Sequence, residues 1–365
     1  MTRSDEGRKL AAAGARIVAV IGWRVPTEPI IAAGLTPVTI VPDLSLETPD
    51  ADRLLSLHES LEARALLQSI VSGDLGFAEL ILFAPPFTMV SEMLEELRRS
   101  DLVASNIPPS YYFELAIQQD ESNRVFAAER VAALATRLAA AAGVVGPLPR
   151  HALEEAVLAT NRVRRAAMKL GRLRCGDRPL PGTNMIKALV AGDVLSPAAH
   201  AEVLAALATR AWPCAIGPRF LVVSSSVLGN PVLHSLIEEE GAVVVGEDDL
   251  YGACFAPGLI SEATGDPLAA IADFYFENPP AQRCSPEATR RRWLYEALRN
   301  PEVTDVLIYA QLPIWGWDVP SIRSCAAAHG KRTLTIEQDV RTAEGREAAA
   351  RSIRTYLEAK NGVVS

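Results

Sequence analysis

Two short apolar runs constrain this chain more than any other feature. FLVVSSS at 220–226 ends in three hydroxyls, and AVVVGEDD at 242–249 ends in three carboxylates. Gly229, Asn230 and Pro231 break the first run, 232–240 has helical spacing, and Gly241 punctuates before the second. Continuous apolar runs of this length suit strands buried on both faces, hence a parallel sheet with a crossover helix. In such sheets the ligand site lies at the carboxyl ends of the strands. Ser224, Ser225, Ser226, Glu247, Asp248 and Asp249 occupy those ends, so a cleft is expected beside them.

The same alternation runs through both ends of the chain. Strands are expected at 16–22, 37–41, 79–84 and 102–105, the last closed by Pro108 and Pro109, with helices at 27–33, 52–71 and 89–99. From Tyr111 the texture changes to Ala-, Leu- and Arg-rich helical stretches at 121–142, 150–171 and 197–210, with 177–182 as the main loop. Beyond the opening strand–helix–strand unit come helices at 266–276 and 286–299, a strand at 304–309, a helix at 319–329, a strand at 332–337 and a helix at 345–360. The expected architecture is α/β: two doubly wound, parallel-sheet lobes of Rossmann or flavodoxin type with a helical region between them. The boundaries fall at 1–110, 111–213 and 214–365, and the two lobes read as echoes of one another.

Composition excludes several classes. The 365 residues carry a net charge of −8 without a long basic block, and Arg290, Arg291 and Arg292 read as a solvated or ion-paired helix face, so no nucleic-acid partner is expected. Five cysteines (Cys175, Cys214, Cys254, Cys284, Cys325) at wide, irregular spacing argue against a disulfide framework and for a reducing, cytoplasmic setting. The apolar run at 17–21 is too short for a membrane span or a signal segment. The common phosphate-loop, dinucleotide, zinc-protease and nucleophile-elbow motifs are absent. The five histidines show no ligand spacing, and His58 and His234 read as surface or helix residues rather than as bases.

Position after a strand selects the candidate site. Glu28, Asp248, Asp249 and Tyr251 are candidate acid–base groups, with Glu247 beside them; Arg24, Thr88, Ser224, Ser225, Trp315 and Trp317 are candidate substrate contacts. LPIWGWD at 312–318 follows a buried strand and either lines a flat or acyl-chain pocket or packs structurally.

The segment GWRVPTEPIIAAGLTPV at 22–38 resembles the opening P-x-E-L-x-x-A-x-G-x-x-P pattern of the 2-hydroxyacyl-CoA dehydratase and benzoyl-CoA reductase family (2-hydroxyglutaryl-CoA dehydratase D-component). Further echoes follow in order: Asn161 with Arg164, GAVVVGEDD at 241–249, Asp266 and Pro267 with Tyr275 and Arg290, Asp305 to Ile308, and Tyr356 to Glu358. The resemblance implies two α/β lobes per subunit, a [4Fe–4S] cluster between them, paired subunits and a separate activator that delivers one electron. It also implies an acyl-CoA substrate, because a 2-hydroxyacyl thioester loses water only after its unacidic β-proton is made labile by an added electron.

Cysteine thiolates are the usual cluster ligands. The family's first should fall near Ser60, the second in PPFT at 85–88, a third near Pro280 where Ala281 stands with Cys284 close by, and another in LPIWG at 312–316. Cys284 is the one residual ligand candidate, and no metal or cofactor is expected on this chain alone. Three readings follow. The chain is a subunit without a cluster, paired with a cluster-bearing homologue and shaping an acyl-CoA pocket. Alternatively it is a stand-alone enzyme doing iron-independent acid–base chemistry on a thioester. The third is a two-lobed binding or group-transfer protein.

Overall fold

The computed structural model describes residues 3–56, 58–99, 107–224, 229–278, 287–310 and 318–361. The chain opens with α1 (Arg3–Ala12), β1 (Ile17–Ile21), α2 (Glu28–Ala32), β2 (Thr36–Thr39) and α3 (Pro49–Leu54). Then come α4 (Leu61–Val71), β3 (Ala78–Phe83), α5 (Thr88–Arg99), β4 (Ser110–Tyr112) and α6 (Glu121–Ala142). α7 (Arg150–Arg172), α8 (Gly182–Val190) and α9 (Pro197–Ala208) follow, and β5 (Arg219–Ser224), α10 (Val232–Glu239) and β6 (Val243–Glu247) form the unit anticipated from the two apolar runs. The remainder is α11 (Pro267–Glu277), α12 (Glu287–Leu298), β7 (Asp305–Tyr309), α13 (Val319–Ala328), β8 (Arg332–Ile336) and α14 (Ala343–Asn361).

Two compact units contain these elements. The first holds 1–160, 193–196 and 260–277. Its sheet has the order β2-β1-β3-β4, all parallel. β1 is buried on both faces, as its unbroken apolar run requires. Ile17, Ala19 and Ile21 meet Leu66 and Ile70 of α4 and Leu94 of α5, while Val18 and Val20 meet Ile30 of α2, Leu134 of α6 and Ile271 of α11. Helices thus cover both faces.

The stretch 52–71 carries helical spacing throughout but forms two helices. Leu55 is extended, and the Ser60 hydroxyl caps α4 by accepting the Ala63 N–H at 3.2 Å. Buried Arg64 reaches back to Asp52 and to the Ser56 carbonyl, while Gln68 accepts the Asp50 and Ala51 N–H groups. The spacing persisted because both helices serve one core. The strand expected at 102–105 lies outside the described residues. The observed fourth strand, β4, follows Pro108 and Pro109 instead of being closed by them, and Pro109 accepts from Ile81 N–H at 2.9 Å. Proline is tolerated there because β4 is an edge strand.

The second unit holds 161–192, 197–259 and 278–365. Its sheet, β6-β5-β7-β8, is also wholly parallel and repeats the strand order of the first. Phe220, Val222 and Leu307 pack with α10 and α14 on one face; Leu221, Val306 and Ile308 pack with α12 and α13 on the other. Asp305, buried at the start of β7, accepts from the Thr304 hydroxyl and from the Tyr356 hydroxyl of α14 at 2.7 Å. α8, missed in the sequence beside the loop at 177–182, packs with α9 and the end of α7 around Leu170, Ile186 and Leu204. No helix among the described residues is long and apolar enough to cross a membrane.

Two glycines separate contact from conformation. Gly22, just past β1, has φ +106°, and a Cβ there would lie 2.2 Å from the Ala84 carbonyl oxygen. Gly34, past α2, has φ +75° with open space around it. Urea denaturation should therefore show Gly22→Ala losing about 3 kcal/mol or more, against about 1 kcal/mol for Gly34→Ala. Equal losses would show that the close approach of the two strand ends is unimportant.

Candidate functional site

The acids after β6 point three ways, and the backbone explains why. β6 pairs with β5 as Val244 to Phe220 and then Gly246 to Leu221, a shift that skips Val245. One extra residue exchanges the faces that alternate side chains occupy. Val244 packs with α10, and three residues later Glu247 meets His234 of the same helix.

Glu247 is held by charge with almost no water. Arg174, just beyond α7, donates Nη1 to Oε1 and Nη2 to Oε2, each at 2.6 Å, and Nη2 also bonds the Val244 carbonyl at 3.0 Å. His234 Nε2 approaches Oε2 at 3.3 Å as donor. All three are buried. Burial alone would raise the Glu247 carboxyl, but the Arg174 charge and the His234 and Arg174 hydrogen bonds outweigh it and bring the pKa to about 2.

Asp248 turns to the sheet edge. Its Oδ1 accepts the Ser224 N–H at 2.8 Å, and its Oδ2 lies 3.3 Å from Arg290 Nη2. Arg290, on α12, is shared with Asp318 at the start of α13. Burial raises the Asp248 carboxyl to about 6 despite Arg290 and the Ser224 amide, and nearby Asp318 adds to the rise. This places a protonatable acid beside the point where the strand order reverses between β5 and β7, the usual ligand position in such sheets.

Asp249 builds its own turn: Oδ1 accepts the Tyr251 N–H at 3.0 Å, and its carbonyl accepts from Gly252 and Cys254. Tyr251 is buried with α7, α8 and α9. The structure thus brings together Ser224, Asp248 and Arg290, and sends Asp249 and Tyr251 elsewhere. Ser225, Trp315, Trp317 and Cys284 lie outside the described residues.

In the first unit, Arg24 has φ +61°, and its Nη2 bonds the Tyr275 carbonyl at 3.0 Å, with Ala116 O at 3.4 Å from Nη1. Glu28 is fully buried in the first turn of α2. Thr88 opens α5, and its hydroxyl is 2.7 Å from that of Tyr112, which donates to Glu114 at 3.2 Å. Of the basic triplet, Arg290 is ion-paired while Arg291 and Arg292 face solvent.

Sequence reasoning missed Arg174 and His234. His234 lies on a helix as expected, but it is wholly buried against a carboxylate rather than idle. Its position three residues into a helix beside an acid-tipped strand was the available signal. Among the described residues no three His, Cys, Asp or Glu side chains gather as a metal site, and Cys175, Cys214, Cys254 and Cys325 form no disulfides. The described donors alone do not gather into the thiolate set of a four-iron cluster.

Two titrations of opposite sign follow. The Asp248 pKa is raised above its ordinary 3.8, so its stabilising effect is full below about 4 and is lost as pH rises through about 6. Comparing wild type with Asp248→Asn by denaturation from acid to neutral pH should show a difference that changes by on the order of 2–3 kcal/mol across that window. A pH-independent difference would contradict the assignment. Glu247, lowered from 4.5, stabilises above that value and loses its effect as pH falls toward about 2. Glu247→Gln at neutral pH should cost about 3–5 kcal/mol by stranding the Arg174 charge, and an Arg174→Met, Glu247→Leu pair should recover most of it.

No curated protein matches the chain. The family model described as "2-hydroxyglutaryl-CoA dehydratase, D-component" matches residues 22–359, from the turn after β1 into the last helix, taking in β2 to β8. The chain belongs to the 2-hydroxyglutaryl-CoA dehydratase D-component family.

Proposed function

We propose that this chain is a component of a 2-hydroxyacyl-CoA dehydratase-like or benzoyl-CoA reductase-like complex, a lyase or an aryl-CoA reductase. In it the chain pairs with a homologous, cluster-bearing subunit and shapes an acyl-CoA pocket. The observation that carries this reading is the family match through both lobes, set against what occupies the positions where the resemblance calls for thiolates. Ser60 spends its hydroxyl capping α4, and Pro85 gives its carbonyl to the Trp23 N–H at 3.0 Å. Those positions do structural work with oxygen. A low-potential electron needs soft sulfur ligands to hold the iron, so in this reading the partner supplies them.

The chain's own contribution is positional. The backbone amide of Ser224 and the guanidinium of Arg290 hold Asp248 at the strand-order reversal, where Asp248 exchanges a proton near neutrality. That observation also favours a second reading, a stand-alone enzyme in which Asp248 acts as acid and base on a thioester without iron.

Anaerobic co-expression with a cysteine-bearing family member separates the two. With the ATP-dependent activator and a low-potential reductant added, the first reading expects a heterodimer of equal stoichiometry that turns over a 2-hydroxyacyl-CoA, while either chain alone does not. Turnover by this chain alone, abolished in Asp248→Asn, would establish the second reading and overturn the first.

A further inference from the structure

In the first unit, α6 carries an outer face that its own unit does not use. The inner face is the expected apolar one: Val131, Leu134 and Leu138 are buried in the core shared with α2 and α11. The face opposite a buried stripe is normally charged. Here Phe126, Ala133 and Ala140 follow one another along it at seven-residue spacing, all exposed, with exposed Val125 and Ala132 beside them.

Two charges interrupt this face, Glu129 and Arg137. Opposite charges on one helix pair when three or four residues apart, as Glu95 with Arg98 and Glu96 with Arg99 do on α5. Glu129 and Arg137 stand two turns apart, about 12 Å along the axis, and Ala133 fills the position that could pair with either. Arg124 and Arg130 of the same helix are taken up within the unit, by Asp273 and Glu277 of α11 and by the Tyr112 carbonyl. Glu129 and Arg137 have no ion pair or side-chain hydrogen bond among the described residues.

A two-fold axis through Ala133 accounts for both features. In an antiparallel pair of α6 helices related by it, Glu129 of each copy comes level with Arg137 of the other, and Phe126 with Ala140. Ala133 meets itself on the axis, where a bare methyl group lets the two backbones approach closely. The face is therefore self-complementary in charge and in size, as an isologous contact requires.

We propose that the outer face of α6 is a docking surface for a second copy of this chain, the two helices packing antiparallel about Ala133. One helix face puts the contact at the small end of specific interfaces, so the dimer is weak and reversible. The contact lies wholly on the first unit and goes beyond the functional reading above: it stands with or without a cluster-bearing partner.

Sedimentation equilibrium of the isolated full chain in reducing buffer should show a monomer–dimer equilibrium with a dissociation constant below about 100 µM. Glu129→Arg or Arg137→Glu alone sets like charges against each other at both symmetry-related contacts and should weaken the dimer by about tenfold, with the circular dichroism unchanged. The charge-swapped double variant, Glu129→Arg with Arg137→Glu, should recover the wild-type constant to within about threefold. Under mild oxidation Ala133→Cys should give a disulfide-linked dimer above the wild-type background, while Ala128→Cys, exposed on α6 but turned away from this face, should not. A chain that stays monomeric at about 100 µM, which would leave α6 to a different partner, would overturn the proposal. So would single variants that dimerise as wild type does, a swapped variant that stays weak, or equal crosslinking at the two cysteine positions.

Discussion

A carboxylate stripped of water and gripped by a guanidinium is the constraint on which the second unit depends. Removing ions from water costs several kcal/mol each, and attraction recovers that only when geometry is good and every remaining lone pair is satisfied. Glu247 has two short bonds from Arg174 and one from His234. The pair fixes the register of β6, because a one-residue slip would turn Glu247 to the opposite face. It also ties three pieces of chain together, the turn after α7, α10 and the tip of β6.

The two sheets share a strand order but use their carboxyl ends differently. In the first unit the polar groups after the strands bond neighbouring backbone and hydroxyls: Arg24 to the Tyr275 carbonyl, Thr88 to Tyr112, Trp23 N–H to Pro85. In the second they are carboxylates in dry surroundings, each with its own partner. Asp248 stands apart from Glu247 because its one cation among the described residues, Arg290, is shared with Asp318 and sits at longer range. One acid is therefore pulled down and its neighbour pushed up, the separation by which adjacent carboxyls take different roles.

Much of this was legible in the residues. Unbroken runs such as 220–226 and 242–249 name parallel strands because both faces are buried, and the alternation with helices names the doubly wound sheet. The convergence of Ser224 and Asp248 followed from strand direction alone. What periodicity could not supply was the fate of side chains after the strand ends. The skipped Val245 decides that Glu247 faces α10, and no hydropathy pattern encodes a bulge. Arg174, far from β6 in sequence, was invisible for the same reason that long-range pairs generally are: charge at one position does not name its partner. The break between α3 and α4 was hidden because Leu55 and Leu66 serve one core from two helices. α11 has an apolar face, but nothing in that face says that it packs with α6.

We propose that this family scaffold does its work at the strand ends with oxygen and nitrogen rather than with sulfur-bound iron of its own. The most direct measurement is iron and visible absorption of the isolated chain, purified anaerobically and treated with ferrous iron and sulfide. The account predicts a colourless protein with only trace iron. A brown protein with iron at cluster stoichiometry and broad visible absorption would contradict it.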